Sequence, residues 1–332
     1  MMSSGSDMSP SGSGSFPIYK AERIGSFSCT LGESPVWNPA DETVTFVDSA
    51  CSRVHQIHIP TGAMKDFEFP LPVSALALTE EGNFIASTSL GFAILTIDRD
   101  DAKISSGIGP ALATGWRMND SACDRQGRYW SGSMAPDTSA PDGWGTMFSL
   151  DATGKVVERG GRYRTQNGLG FSLDGRRIYV SDSHRSNPHV MAYDFDCDSG
   201  EMTNGRLFAD HAHLGGRPDG AAIDADDCYW IAASDSGRLL RLTPQGKIDA
   251  AIEVDVPNPT NLCFMGADLD MVFITTLKPG GTGPGGHIYM AKVPHKGAAN
   301  AVFSGAARLN LPNTQPGMRL SAETGADQKP AE

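Results

Sequence analysis

Asp226-Asp227-Cys228-Tyr-Trp-Ile231 is a turn followed by a short β-branched and aromatic run, and the same pairing recurs along the chain. Asp41-Glu42 precedes Thr43-Val-Thr-Phe-Val47, Glu81-Gly82 precedes Asn83-Phe-Ile-Ala-Ser87, and Gln126-Gly127 precedes Arg128-Tyr-Trp-Ser131. Asp174-Gly175 stands before Arg177-Ile-Tyr-Val180, and Asp268 before Met271-Val-Phe-Ile274. Asp, Asn and Gly tolerate the backbone angles of a tight turn, so each run reads as the second strand of a hairpin.

About ten residues before each run lies another short strand with a polar residue at its start: Glu33, Ser74, Asn119, Asn167, Asp219 and Thr260. Four residues on stand Trp37, Leu78, Cys123, Phe171, Ile223 and Phe264, which strand alternation places on the same face. The polar positions are 41, 45, 48, 52 and 41 residues apart, the length of one four-stranded blade. Third strands follow in Gly145-Thr-Met-Phe-Ser-Leu150, Val190-Met-Ala-Tyr-Asp194, Gly237-Arg-Leu-Leu-Arg-Leu242 and His287-Ile-Tyr-Met-Ala-Lys292. The expected fold is all-β, a six-bladed β-propeller over residues 17–312 with a central channel and one metal site at its mouth. A disordered segment 1–16 is expected before it and a flexible tail 313–332 after it. Either Pro17 to Cys29 or Ala301 to Leu311 should complete a blade with strands from the opposite chain end, which removes exposed edges. An α/β alternative finds no helix of three turns with a 3.6-residue apolar stripe.

Composition agrees. The 332 residues carry 38 Gly and 21 Pro with 39% hydrophobic residues, a turn-rich chain with enough apolar content for a core. Lys and Arg number 27 against 39 Asp and Glu, a net charge of −12, which argues against nucleic acid and against anionic membrane surfaces as partners. The six cysteines form no CxxC pair and read as reduced, mostly buried thiols. Met1 to Ser15 has no apolar run and no window reaches 18 apolar residues, so a cytoplasmic protein, monomeric or weakly dimeric, is expected.

The inner-strand starts offer two carboxylates, Glu33 and Asp219, and two carboxamides, Asn119 and Asn167. Such hard oxygen donors suit Ca²⁺, Mg²⁺ or Mn²⁺. Singly, each would be an ordinary turn or loop residue, since Asn167-Gly168 and Asp219-Gly220 are common turn dipeptides; the shared register favours a site.

Gly32-Glu33-Ser34-Pro35-Val36-Trp37, Arg117-Met118-Asn119-Asp120, Gln166-Asn167-Gly168-Leu169 and Arg217-Pro218-Asp219-Gly220 resemble the successive signatures of the regucalcin and gluconolactonase family of sugar lactonases. The resemblance runs from about Ile24 to Val293. It implies a six-bladed propeller hydrolysing an aldonolactone with one divalent metal, calcium first, with zinc, manganese, magnesium or iron as alternatives. By the same resemblance Glu33, Asn167 and Asp219 would ligate the metal, and Arg117, Asn119 and Asp137 would contact substrate. At Asp137 relatives often carry Glu, which bears on which sugar hydroxyl is read. A metal of this kind polarises an ester carbonyl, and Asp219 is the expected general base. A related esterase or organophosphatase, or a non-catalytic calcium-binding propeller, remain alternatives because fold alone does not decide function.

Other signals are weaker. Gly281-Thr-Gly283-Pro-Gly285-Gly286 precedes a strand, not the helix that dinucleotide binding needs. Asp194, Asp196 and Asp198 imitate an EF-hand, but Ser199 stands at the glycine position and Gly205 at the glutamate position. No GxSxG elbow occurs. Asp182-Ser183-His184 are adjacent in sequence and cannot form a triad, though His184 and Arg185 could touch substrate. His55 with His58, and His211 with His213, read as surface or loop histidines.

Overall fold

The computed structural model describes residues 16–309 and 315–320; most of the segment expected to be disordered lies outside them. Two short strands come first, β1 (Ile18–Lys20) and β2 (Glu22–Arg23). One antiparallel meander follows as β3 (Gly32–Asn38), β4 (Thr43–Asp48), β5 (Arg53–His58) and β6 (Ala63–Glu68). The next is β7 (Val73–Leu78), β8 (Phe84–Thr88), β9 (Gly91–Asp98) and β10 (Asp101–Ile104). A further meander comprises β11 (Arg117–Cys123), β12 (Tyr129–Met134), β13 (Gly145–Leu150) and β14 (Val156–Tyr163). Then come β15 (Gln166–Phe171), β16 (Arg177–Asp182), β17 (His189–Phe195) and β18 (Met202–Asp210). After a single helical turn, α1 (His211–Leu214), lie β19 (Arg217–Ile223), β20 (Tyr229–Ser234), β21 (Arg238–Leu242) and β22 (Ile248–Glu253). The last group is β23 (Pro259–Met265), β24 (Met271–Thr276) and β25 (Tyr289–Lys292), with β26 (Gln315–Arg319) beyond it.

The result is an all-β, propeller-like fold. The first strands of successive meanders touch in the order β3, β7, β11, β15, β19, β23, and β23 returns to β3. Apolar side chains fill the wedge between each pair of neighbouring meanders. Trp130 and Met147 pack on Leu169, Phe171 and Ile178, and Cys263, Met265 and Phe273 pack on Trp37, Val44 and Phe46. Each large side chain fully buried this way contributes about 1.5–3 kcal/mol.

The N-terminal segment performs the expected closure: β2 pairs antiparallel with β25, completing the meander begun by β23. β1 adds parallel to the outer edge of β22. One feature differs from expectation. Residues 315–319, placed in a flexible tail by the sequence, form β26, which pairs with both β6 and β10. That strand joins two meanders into one nine-stranded sheet, so the described residues form five sheets where separate blades were expected. Residues 301–309 complete no blade, a role the N-terminal segment takes; Phe303 bridges to Thr79 and is fully buried in a core with Ile85, Phe92 and Tyr129.

Two meanders carry the same internal brace. Asp124 Oδ2 accepts from Trp130 Nε1 at 2.8 Å and from Arg128 Nε at 2.5 Å. Asp224 Oδ2 likewise accepts from Trp230 Nε1 at 2.9 Å and Arg241 Nε at 2.6 Å. Both aspartates are fully buried, and pairing with a guanidinium plus two or more further donors is what makes such burial tolerable.

Candidate active site

All six inner strands break register at the same place, just where the polar residues stand. The shifts fall between Glu33 and Val36, Val73 and Ala75, Met118 and Ser121, Asn167 and Gly170, Pro218 and Ala221, and Pro259 and Asn261. A bulge inserts an extra residue and re-aims the side chains beside it. Here it lets consecutive residues face one cavity that strict alternation would divide between two faces.

That cavity, of about 150 Å³, is lined by Glu33, Ser74, Arg117, Asn119, Asn167 and Asp219, together with Asp120, Ser183 and Arg217. Five of the six expected inner-strand residues therefore converge. Thr260 does not; its hydroxyl donates to Gly32 O and meets Thr275, and the bulge turns Asn261 inward in its place. Asp137 also stands apart. It is exposed on the loop between β12 and β13, where its carboxylate accepts from Ser139 N at 2.9 Å. His184 bonds Ser139 Oγ and Arg185 reaches Asp235, both outside the cavity lining.

The carboxamides form a connected row. Asn119 Nδ2 donates to Gln166 O at 2.6 Å and to Asn167 Oδ1 at 3.1 Å. Asn167 Nδ2 donates to Ser183 Oγ at 2.7 Å, and that hydroxyl donates onward to Pro218 O. Both amide groups are thus held in fixed orientations, Asn167 Oδ1 accepting from Asn119 and Asn119 Oδ1 from Arg117.

The carboxylates are much less satisfied. Glu33 Oε2 and Asp120 Oδ1 share one weak donor, Asn261 Nδ2, at 3.4 Å each. Asp120 Oδ2 also accepts from Leu169 N at 3.2 Å. Asp219 is 6% exposed and its carboxylate accepts no hydrogen bond among the described residues. Burial, and then the neighbouring Asp219 and Asp120, raise Glu33 well above the carboxylate range. Burial likewise raises Asp219, with Arg217 opposing, and pushes Asp120 up to about 6.

The two arginines play different parts. Arg217 is bound through Nε and Nη2 to Asp235 at 2.6 and 3.2 Å. Arg117 makes no ion pair among the described residues; Nη1 donates to Asn119 Oδ1 at 2.6 Å and to Met118 O at 3.0 Å. Its Nη2 meets only Met134 Sδ at 4.0 Å, leaving donors aimed at the cavity. Burial lowers Arg117 to about 10, so it is a cation at neutral pH.

With Arg217 bound to Asp235, three buried carboxylates share one amide donor and the Arg117 guanidinium and are short of positive charge. The acceptor-rich oxygen set of Glu33, Asn167 and Asp219 fits a hard divalent cation in donor type and in charge. Sequence reasoning quoted Asp120 but gave it no role, and missed Asn261. Alternation points both away from the cavity; the bulges bring Asp120 into its lining and Asn261 Nδ2 to the Glu33 and Asp120 carboxylates.

Residues 31–278 match the family described as SMP-30/Gluconolactonase/LRE-like region. The chain is 30% identical over 288 residues to 6-deoxy-6-sulfogluconolactonase of Pseudomonas putida, covering 83% of this chain and 95% of that protein. It is 29% identical to regucalcin of Sus scrofa over 257 residues, 76% and 85% of the two chains. Among solved structures, a luciferin-regenerating enzyme superposes with TM-score 0.76 at 26% identity, over 83% of this chain and 96% of the other. Regucalcin from Agrobacterium tumefaciens, described as a calcium-binding protein, gives 0.74 at 21% identity over 86% and 98%, a likeness of fold alone. No helix among the described residues is long and apolar enough to cross a membrane.

Proposed function

Because the chain belongs to the SMP-30/gluconolactonase/LRE-like family, we propose that it is a six-bladed propeller carboxylic-ester hydrolase that opens a sugar lactone to the aldonic acid with the help of one divalent cation. The observation that supports this reading is the under-satisfied group of Glu33, Asn167 and Asp219 in one cavity beside Arg117 and Asn119. Glu33, Asn167 and Asp219 would hold the cation, calcium before other hard ions. When bound, it supplies a Lewis acid for the ester carbonyl and neutralises the buried acids.

The chain's own residues do the rest. The free donors of Arg117 bind ring or hydroxyl oxygens of the sugar, and Asn119, tied to Arg117 and Asn167, sets the guanidinium's direction. Leu31, Met134 and Leu277 wall the cavity and limit water around the ester. Asp219 takes the proton of the attacking water as its oxygen bonds to the carbonyl carbon. The ring C–O bond then breaks, and the proton passes to the released hydroxyl.

The test is hydrolysis of five- and six-membered aldonolactones, an aryl ester and an organophosphate, after chelation and after reloading with each divalent ion. Chelator-sensitive turnover confined to lactones is the expected result. Turnover of the phosphotriester or aryl ester alone would place the chain among related esterases. No turnover by any ion would leave a binding protein and overturn the reading.

A further inference from the structure

His55, read from sequence as a surface histidine, is 3% exposed. Phe46, His55 and Asp66 lie directly opposite one another on β4, β5 and β6, and Asp48, two residues from Phe46, shares their face. Phe27 and Phe46 hold the imidazole, with ring centroids at 4.7 and 5.1 Å. Its Nδ1 lies 2.7 Å from Asp66 Oδ1, an arrangement that assigns the proton of the neutral ring to Nδ1. Nε2 is then a lone-pair donor, buried without a hydrogen-bond partner.

Cys29, 1% exposed, belongs to the segment leading into β3. Its Sγ, a carboxylate oxygen of Asp48 and a ring nitrogen of His55 lie within 4.8 Å of one another. Ligands around a tetrahedral zinc are roughly 3.5 Å apart for bonds of about 2.0–2.3 Å, so contraction by about 1 Å closes the group on an ion.

We propose that Cys29, Asp48 and His55 bind a transition-metal ion of the zinc class at a structural site separate from the substrate cavity. Sulfur with imidazole nitrogen selects borderline-soft ions over calcium or magnesium. Asp66 behind the imidazole fixes the tautomer and strengthens the donor, as outer carboxylates do in zinc sites. On binding, the Cys29 Sγ–H bond is replaced by a metal–sulfur bond and the proton leaves to solvent. Asp48 already accepts from Thr30 N and Leu31 N at 2.7 and 3.0 Å, so the ion would fasten the segment before Glu33 to β4 and β5.

The test uses the full chain produced in medium supplemented with Co(II). A near-ultraviolet thiolate-to-cobalt band is expected, displaced by zinc. The band should be lost in Cys29→Ser, weakened in His55→Gln and unchanged in Glu33→Gln, which removes a ligand from the other cavity. X-ray absorption of the zinc-loaded wild-type chain reads the same question without variants, expecting sulfur in the first coordination shell. A cobalt-treated, folded wild-type chain with no thiolate band, a band surviving in Cys29→Ser, or a zinc shell of oxygen and nitrogen alone would each overturn the proposal. None of these outcomes depends on lactone hydrolysis.

Discussion

Glu33, Asp120 and Asp219 show what the candidate site costs the folded chain when no cation is bound. In an unfolded chain these acids titrate near 4, whereas burial moves Asp120 to about 6 and raises Glu33 and Asp219 as well. An acid that holds its proton more tightly when folded adds stability at low pH, and that stability is lost as pH climbs from the unfolded to the folded value. For Asp120 the loss falls between about pH 4 and 6, and ionisation of Glu33 and Asp219 extends it upward. The thermal midpoint of the chelated protein is therefore expected to fall as pH rises through this range, and a divalent cation should flatten the curve. Asp219→Asn removes, at nearly constant shape, an acid whose ionised form burial disfavours. At pH 7 in chelator it should stabilise the fold by about 1–3 kcal/mol, and with the cation restored it should lower lactone turnover at least about a hundredfold. Melting curves and initial rates on one preparation check both halves. A lower midpoint would mean that the ionised carboxylate is well solvated, and retained turnover would place the base elsewhere.

At the scale of the element, the bulge is what turns a strand start into a site. Gly168 shows why one position tolerates only glycine: φ is +59°, and an added Cβ would meet Tyr229 Oη at 2.6 Å and Ser181 Oγ at 2.7 Å. Tyr229 Oη donates to Gly168 O at 2.7 Å, so the bulge carrying Asn167 is fixed against β20. Gly168→Ala should cost at least about 2 kcal/mol of stability and reduce turnover more than it changes global secondary structure. Circular dichroism, melting and rate measurements on one sample separate these effects; wild-type turnover would show that the bulge does not position Asn167. The bulges also mark where sequence reasoning stops. Alternation and turn residues located the strands closely, with Thr43 opening β4 and Gly145–Leu150 matching β13 residue for residue. Glu33, Asn119, Asn167 and Asp219 were readable because each begins a strand in a repeat. Asp120 and Asn261 were not, because the period of two assigns them to the other face and nothing local in the sequence announces the extra residue. Asp137 stands outside the cavity lining for a different reason: a motif gives a loop residue its place in the chain but not the direction of its side chain. The burial of His55 was hidden because Phe27 and Asp66, which enclose it, are distant in sequence.

Across the whole molecule the two chain ends differ in how much they contribute to the fold. The first meander and the last meet along β3 and β23, but the last has only three strands from its own part of the chain, and β2 provides the fourth. β1 covers the edge of β22, and Ala21 N donates to Glu253 O at 2.9 Å. Tyr19 and Ala21 pack on the core that contains Trp230, Ile252 and Tyr289. Removing residues 1–24 would open two sheet edges and uncover that core, conditions that favour edge-to-edge association. β26, in contrast, is largely exposed and pairs with edges already at the rim. Its removal gives up a few hydrogen bonds worth about 1 kcal/mol each but no inner strand and no cavity residue. A chain ending at residue 312 should therefore melt within several degrees of the full chain and keep its turnover. A chain beginning at residue 25 should aggregate or melt without a cooperative transition. Size-exclusion chromatography with calorimetry on both truncations decides the matter. Cooperative melting of the N-terminal truncation near the full-length midpoint would show that β23, β24 and β25 hold without β2, and that contacts among the inner strands suffice to close the ring.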